Sequence, residues 1–326
     1  MSNNIPKGIL RLYGAGGAGI NVIGSWNSMD KASIDGTAEC RVAYLDTSRS
    51  NLPVNVNEDN LFLIEDVDGS GKVRAENHQE ISRSIKAMIQ KHTPGDLNVV
   101  AFSASGGSGS VIGPLVMTAL AEAGHPVVGL VIGSEESAIT SKNTLNTLKS
   151  LDNMSRKKGL PLVISYAHNS ADTPRSKVDN DCRFLLASLA VLASRQNREL
   201  DTKDLANWIN FPKVTSVEPQ LSLLHVYRKA EDVDAASSPI SVASLLKTPD
   251  DPTFSIVPEY ITVGFPLNPV KDFEQLHYVI TVDGVQTISK LNHERVEAAG
   301  KIASARVKHD SIVSATDVAG DDGMIL

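Results

Sequence analysis

Two glycine-rich segments constrain the fold of this chain most strongly, because each follows a short apolar run and precedes a helical pattern. The first reads GAGGAGIN at residues 14–21, after the apolar run 9–13, and the second reads SGGSGS at residues 105–110, after the run 98–103. Glycine lets a backbone approach a phosphate closely, and a following helix presents free N–H groups and the positive end of its dipole. The pair predicts an α/β fold with anion-binding loops at the carboxyl ends of parallel strands.

Short apolar runs alternate with helical patterns through the first half of the chain, which is typical of a parallel sheet with helices on both faces. Strands are predicted at residues 9–13, 41–45, 61–64, 98–103, 127–132 and 160–166. Helices are predicted at residues 76–92, 111–123 and 141–158. Right-handed βαβ connections would then place both glycine-rich loops on one edge of the sheet.

A smaller unit is predicted after a long apolar helix. Residues 178–194 are apolar on nearly every side after the first turn, which indicates a helix buried between two layers. Beyond it we expect strands at 221–228, 254–265 and 276–283, a helix at 241–247 and a basic helix at 290–308. The last 18 residues carry four aspartates and no lysine or arginine, which predicts an extended acidic tail.

The predicted organisation therefore has four parts. Residues 1–177 form a parallel-sheet domain, 178–200 a central helix, 201–288 a smaller α/β domain, and 289–326 a C-terminal helix with the acidic tail.

Composition excludes several classes of function. The 31 lysines and arginines against 38 acidic residues give a net charge of −7, which disfavours non-specific binding to nucleic acid or anionic membrane. Cys40 and Cys182 are too few for a disulfide framework or a cysteine-based zinc site, and they fit a reducing cytoplasm. We expect no export signal, no membrane span and no direct nucleic-acid binding.

The first loop alone also fits a nicotinamide-binding fold. Gly14, Gly16 and Gly19 have the G-x-G-x-x-G spacing, and Asp46 ends the next strand as a ribose-binding acid would. The second loop argues for a nucleoside triphosphate instead, because a dinucleotide fold does not need it and Ser108 and Ser110 add hydroxyl groups. The sequence has no G-x-x-x-x-G-K-[ST] motif, so an ordinary P-loop site is excluded.

An acidic pair, Asp201 and Asp204, stands at a predicted helix start after the apolar helix. The two carboxylates share a face and could orient a water or a cation beside a phosphate. Helix capping explains the same pattern, since aspartate is favoured at the N-cap and in the first turn.

Together, GAGGAGIN, SGGSGS and LDTKD resemble the tubulin/FtsZ superfamily of filament-forming GTPases. At closer range SGGSGSVIGPL, LDTKDLANWI and the ending DDGMIL resemble the bacteriophage-encoded tubulins of the PhuZ type. The resemblance implies that residues 1–177 bind GTP or GDP and that residues 201–288 form an activation domain. Ser105 departs from the family pattern, which has a glycine there, and would be strained if that position required a positive φ.

The resemblance also carries over individual site residues. Asn21 would contact guanine, and Glu136, Asn169 and Asn180 would contact ribose or guanine. The phosphate contacts would fall on Gly14, Ala15, Gly16, Gly17, Gly106, Gly107, Ser108, Gly109 and Ser110.

The mechanism implied by the resemblance needs two subunits. Asp201 and Asp204 of the next subunit would reach the γ-phosphate and position the attacking water, while Mg²⁺ offsets phosphate charge. Head-to-tail assembly would switch on hydrolysis, and the filaments would position phage DNA in the host cytoplasm. A tubulin-like polymer without effective hydrolysis is the remaining alternative, although both acids are present.

Overall fold

The computed structural model of the chain describes residues 6–27, 36–64, 67, 71, 77–235, 238–251, 253–267 and 275–305. Its strands are β1 (Ile9–Ala15), β2 (Glu39–Asp46), β3 (Leu61–Leu63), β4 (Leu97–Ser103), β5 (Val127–Ser134), β6 (Leu162–Asn169), β7 (Asn197–Arg198), β8 (Leu221–Tyr227), β9 (Pro239–Leu245), β10 (Tyr260–Pro266) and β11 (Leu276–Thr281). Its α-helices are α1 (Gly16–Asn27), α2 (His78–Lys91), α3 (Gly109–Glu122), α4 (Ala138–Lys158), α5 (Arg175–Leu192), α6 (Thr202–Ile209), α7 (Ala230–Asp234) and α8 (Val285–Ser304).

The strands form one continuous sheet in the order β3-β2-β1-β4-β5-β6-β8-β11-β9-β10-β7. The seven strands from β3 to β8 are parallel to their neighbours, which confirms the parallel sheet predicted for the first half of the chain. Beyond β8 the sheet becomes mixed, because β11 is antiparallel to both β8 and β9. The smaller unit therefore extends the first sheet through the pairing of Leu162 with Leu221.

Apolar cores lie on both faces of the sheet. One face packs against α1 and α5, and the other packs against α2, α3 and α4. The apolar helix predicted from 178 is α5, which begins three residues earlier after Pro174 and ends at Leu192. The part of 178–200 beyond it contains the short strand β7. Tyr278 of β11 donates a hydrogen bond to the Ser188 carbonyl, 2.6 Å away, and so ties α5 to the second part of the sheet.

The helix predicted at 241–247 is wrong, because β9 occupies most of that segment. The sequence SVASLL has good helix formers, but six of the seven residues of β9 are buried between β11 and β10. The Ser241 hydroxyl donates to the Trp208 carbonyl at 2.9 Å. Small side chains flanked by sheet on both sides favour the strand here, since strand preference depends on tertiary context.

The C-terminal helix begins earlier than predicted, at Val285, and ends at Ser304. The predicted acidic tail lies outside the described residues. None of the described helices is long and apolar enough to cross a membrane.

Candidate functional site

A cleft of about 750 Å³ opens at the carboxyl ends of the parallel strands, beside the first turns of α1, α3 and α5. The sequence-predicted residues that line it are Ala15, Gly16, Gly17, Asn21, Asp46, Gly106, Gly107, Ser108, Gly109, Glu136 and Asn169. The fold thus brings together residues that span more than 150 positions of the chain.

The two glycine-rich loops touch each other through their backbones. Gly16 has a φ of +66°, and a Cβ added to it would lie 2.7 Å from the Gly109 nitrogen. A Cβ added to Gly109 would lie 2.6 Å from the Ala15 carbonyl oxygen. Because side chains are excluded from both sides of this contact, the loops form one backbone-lined surface at the starts of α1 and α3, where N–H groups suit an anion.

The second loop is fastened from α4. Asn143 donates to the Ser105 carbonyl at 3.1 Å, and Thr147 donates to the Ala104 carbonyl at 2.9 Å. The Ser105 and Ser103 hydroxyls are 2.8 Å apart. Ser105 does not adopt a positive φ, so serine replaces glycine at this position without the backbone strain considered above.

Asp46 is 2% exposed at the end of β2 and connects the loops around the cleft. Its carboxylate accepts from the Thr47 backbone N–H at 2.7 Å and from the Asn51 amide at 3.3 Å. Burial raises the pKa of Asp46, and these hydrogen bonds act in the opposite direction. The Thr47 and Ser108 hydroxyls, 2.7 Å apart, join this strand end to the second glycine-rich loop.

The wall of the cleft formed at the ends of β5 and β6 carries a buried acceptor. The Asn169 side-chain oxygen is buried and has no hydrogen-bond partner among the residues that the structure describes. A buried polar atom left unpaired costs about 1–3 kcal/mol, so a ligand donor at this position would relieve the cost. Glu136, on the same wall, accepts from the Arg175 guanidinium Nε at 3.1 Å.

Three of the predicted nucleotide contacts do not line the cleft. Gly14 is buried within β1, and the Ser110 hydroxyl donates to the Gly107 carbonyl at 2.8 Å, which stabilises the loop from behind. Asn180 is exposed on α5 and accepts from Arg183 at 2.8 Å. Asp179, one position earlier, faces the cleft instead.

Sequence reasoning missed part of the lining. The further residues around the cleft include Ser48, Asn51, Ser103, Ser134, Thr140, Arg175 and Asp179. The proline at 174 could have indicated Arg175 and Asp179, because it marks the start of a helix. The first turns of that helix lie beside the carboxyl ends of the strands.

Asp201 and Asp204 form a capping box at the start of α6. Asp201 accepts from the backbone N–H groups of Lys203 at 2.7 Å and Asp204 at 3.0 Å, and Asp204 accepts from the Asp201 N–H at 2.9 Å. These backbone hydrogen bonds lower the pKa of Asp201. Helix capping within one chain therefore accounts for the positions of both carboxylates.

The acidic pair is far from the cleft of its own subunit. Neither aspartate lines the cleft. Helix α5 begins beside the cleft and has 18 residues, so its far end lies about 27 Å away, and Asp201 comes after that end. Any action of this pair on a ligand in the cleft would require a second copy of the chain.

Comparisons with known proteins agree with this architecture. The profile described as the Tubulin/FtsZ family, GTPase domain, matches residues 10–165, and the one described as Phage tubulin-like protein, C-terminal domain, matches residues 200–285. A phage tubulin-like protein of Pseudomonas phage phiKZ is 31% identical over 97% of this chain and 97% of its own length. The chain belongs to the phage tubulin-like proteins of the tubulin/FtsZ family.

Two solved structures show the same fold over nearly the whole chain. The protofilament of TubZ from bacteriophage PhiKZ has a TM-score of 0.86 and 31% identity, covering 97% of this chain and 99% of that one. The phage tubulin PhuZ with GDP has a TM-score of 0.84 and 27% identity, covering 98% and 99%. These matches confirm the predicted family and the predicted α/β class, with a tubulin-type GTPase domain.

Proposed function

We propose that the cleft binds guanine nucleotide and that the protein is a GTPase that assembles into filaments. The observation that carries the proposal is the backbone contact between the two glycine-rich loops, which forms one anion-binding surface in the same cleft as the unpaired oxygen of Asn169. Guanine has an amino group and a ring N–H, and both can donate hydrogen bonds to an amide oxygen. A relative described as bound to GDP supports the choice of nucleotide.

The residues present fit this ligand. The phosphates would lie along Gly16, Gly17 and residues 106–109, where the cleft is lined by backbone, and the base or ribose would lie near Asn21 and Asn169. Mg²⁺ bound with the nucleotide would offset phosphate charge. Gly14, Ser110 and Asn180, which do not line the cleft, stay predictions as ligand contacts.

The proposal for hydrolysis follows from the distance between the cleft and the acidic pair. In a head-to-tail row, Asp201 and Asp204 of the next subunit would approach the phosphates and orient the attacking water. Exposed apolar side chains lie near the cleft and near the acidic pair, where contact between subunits would bury them. Val54 and Ile139 lie three and one positions from cleft residues, and Ile261 follows Tyr260, whose hydroxyl is 3.4 Å from Asp204.

Such a contact is heterologous and does not close, which produces filaments. A relative described as a protofilament supports this assembly. We extend the proposal to filaments that position phage DNA in the cytoplasm of the infected bacterium, through a partner other than direct DNA contact, since the net charge is −7.

Nucleotide competition tests the proposed ligand. A fluorescent GDP analogue should be displaced by unlabelled GTP and GDP but not by NAD, because the cleft has two loops for one phosphate chain. Tight NAD binding without competition by GTP would overturn the proposal in favour of the nicotinamide alternative.

Two glycine variants make this test specific to the cleft. Gly16 and Gly159 have similar left-handed backbones, with φ of +66° and +62°, but only Gly16 lies in the cleft and only its added Cβ would meet another backbone. Gly16→Ala should weaken GDP binding by about tenfold or more, corresponding to about 1.4 kcal/mol. Gly159→Ala carries the same backbone strain and should bind GDP normally, so equal losses in both variants would contradict the site assignment.

A further inference from the structure

A polar cluster connects the C-terminal helix to the back of the cleft wall. The cluster consists of Glu135, Tyr166, His168, Asn292 and Arg295, from the end of β5, β6 and α8. Arg295 forms an ion pair with Glu135 through its guanidinium Nε and is 2.9 Å from the His168 Nε2 through its Nη1. The His168 Nδ1 is 2.8 Å from the Tyr166 hydroxyl, and the Asn292 amide reaches the same hydroxyl at 3.4 Å.

The cluster and the cleft share two short backbone segments. Glu135 precedes Glu136, and His168 precedes Asn169; the second member of each pair lines the cleft. Successive side chains of a strand point to opposite faces, so β6 places His168 toward α8 and Asn169 toward the cleft. The Glu135 backbone N–H donates to the Asn169 carbonyl at 3.4 Å, which joins the two segments directly.

Packing beneath the cluster indicates that its geometry is built into the fold. A Cβ added to Gly133 of β5 would lie 2.1 Å from the Tyr166 hydroxyl oxygen and 2.8 Å from the His168 Nδ1. Glycine at this position therefore makes room for the two stacked rings, whose centroids are 5.8 Å apart. On α8, Asn292 is 1% exposed, whereas the last turns of the helix are largely open to solvent.

Hydrogen-bond chemistry relates the His168 ring to its neighbours. A guanidinium can only donate, so the 2.9 Å contact with Arg295 needs an unprotonated His168 Nε2 and assigns the proton of the neutral ring to Nδ1, facing the Tyr166 oxygen. The Glu135 Oε2 lies 3.7 Å from the same Nε2. Burial and the neighbouring Arg295 lower the pKa of His168, while Glu135 acts in the opposite direction. Arg295 thus satisfies an acid on one segment and an imidazole on the other at the same time.

We infer that Arg295 is a positioning residue through which α8 holds the nucleotide-facing wall of the cleft. When Arg295 contacts Glu135 and His168, it fixes the two backbone segments that carry these residues. The neighbouring Glu136 and Asn169 then keep the positions in which they face the ligand. The inference rests on the proposed function of the cleft. By linkage, nucleotide bound to the ordered wall would stabilise the docked helix by the same factor.

Affinity for GDP, measured on the full chain below the concentration at which it assembles, tests the inference. Arg295→Met should weaken GDP binding about fivefold to tenfold, toward the lower end of typical coupling between sites. Lys290→Met is the matched control, because Lys290 is a 79% exposed cation of the same helix whose ion pair is with Glu294, four residues further along that helix. The control should bind GDP normally, and Arg295→Lys should recover part of the loss.

A double-mutant cycle with Glu135→Gln separates positioning from general destabilisation. If the pair acts as a unit, the double variant should lose little more affinity than Arg295→Met alone. Additive losses, or a lowered melting temperature with unchanged GDP affinity, would overturn the inference and leave the cluster a purely structural role.

Amide hydrogen exchange measured on the unsubstituted chain gives a second test, and it does not depend on any variant that could unfold. Saturating GDP should slow amide exchange across α8 about fivefold, while exchange in α2, which has no residue in the cleft lining, should not change. If amide exchange in α8 were equal with and without GDP, this inference would be overturned, but the proposed function would not. A chain that does not bind GDP at all would overturn the proposed function and this inference together.

Discussion

At the scale of single residues, His277 shows how burial creates a pH dependence of stability. Its side chain is fully buried in β11, with Nδ1 2.9 Å from the Ser244 hydroxyl and Nε2 2.8 Å from the side-chain amide oxygen (Oε1) of Gln275. The Gln275 oxygen can only accept, so Nε2 carries the proton and Nδ1 accepts from Ser244. Burial lowers the pKa of His277 to about 4, which keeps the neutral ring that this arrangement needs.

We predict that stability decreases as the pH falls from 7 to 5. The unfolded histidine, with a pKa near 6.5, takes up a proton in this range, whereas the folded one does not, so the unfolded state gains about 2 kcal/mol from this residue. The contribution is fully present above the unfolded pKa. Urea unfolding at both pH values measures the change in the free energy of unfolding.

Two variants assign that change to His277. His277→Gln should lower stability at pH 7 but reduce the difference between pH 7 and pH 5 by about 2 kcal/mol. His78→Gln, on the exposed face of α2, should leave the difference unchanged. If His277→Gln kept the full pH dependence, the neutral buried form of His277 would be the wrong explanation.

At the scale of elements, the start of α6 has two interpretations that one pair of substitutions separates. Alanine at Asp201 or Asp204 would remove the capping box, which alone costs about 1 kcal/mol, so loss of activity would be ambiguous. Asparagine keeps an acceptor at the cap and removes only the charge. We therefore predict that Asp201→Asn and Asp204→Asn fold normally, bind GDP normally and lower GTP turnover about a hundredfold or more.

Phosphate release during assembly measures this prediction, and filaments of the variants should persist because GTP remains bound. Mixing supplies the control. Asp201→Asn impairs the acidic half of the composite site and Gly16→Ala impairs the nucleotide half. At a GTP concentration that leaves the Gly16→Ala cleft largely empty, a mixture of the two should recover some turnover. Lost GDP affinity in the separate Asp201→Asn protein would contradict the assignment to the neighbouring subunit.

Local signals explain which elements the sequence predicts. The glycine-rich loops and the strands before them were predicted correctly, because turn chemistry and short apolar runs act within a few residues. The strand β9 was not, since its conformation depends on β10 and β11, which follow it in the chain. The cleft residues of α5 depend on the rotation of a helix about its axis, and a shift of one position separates Asn180 from Asp179.

At the scale of the whole molecule, the cleft and the acidic pair lie at the two ends of α5, so in the proposed head-to-tail row the acidic pair of one subunit faces the cleft of the next. Assembly then requires only one kind of contact, repeated along a row. The sequence predicts a second link between subunits in the acidic tail, where Asp310, Asp317, Asp321 and Asp322 precede an apolar tip. Those residues lie outside the described part, so the link stays a prediction.

We predict that deletion of residues 315–326 raises the critical concentration for assembly about tenfold, equivalent to about 1.4 kcal/mol per subunit. The physical reason is the loss of a contact between the tail and the neighbouring subunit, made by carboxylates on a basic surface and by an apolar tip in a small pocket. Pelleting with GTP over a range of protein concentrations measures the change. GDP affinity of the monomer should not change, because the cleft is formed by residues 15–179.

A full-length variant with asparagine in place of Asp317, Asp321 and Asp322, the three aspartates that the deletion removes, separates charge from the apolar tip. Its assembly should be weakened at low salt and become insensitive to added salt, whereas assembly of the unchanged chain should weaken as ionic strength rises, because exposed charges are screened over about 8 Å at physiological salt. The deletion should weaken assembly more than the charge variant does at every salt concentration, since it also removes Met324, Ile325 and Leu326. If the shortened chain assembled at the original critical concentration, the tail would be a solubilising segment and the single head-to-tail contact would carry the whole assembly energy.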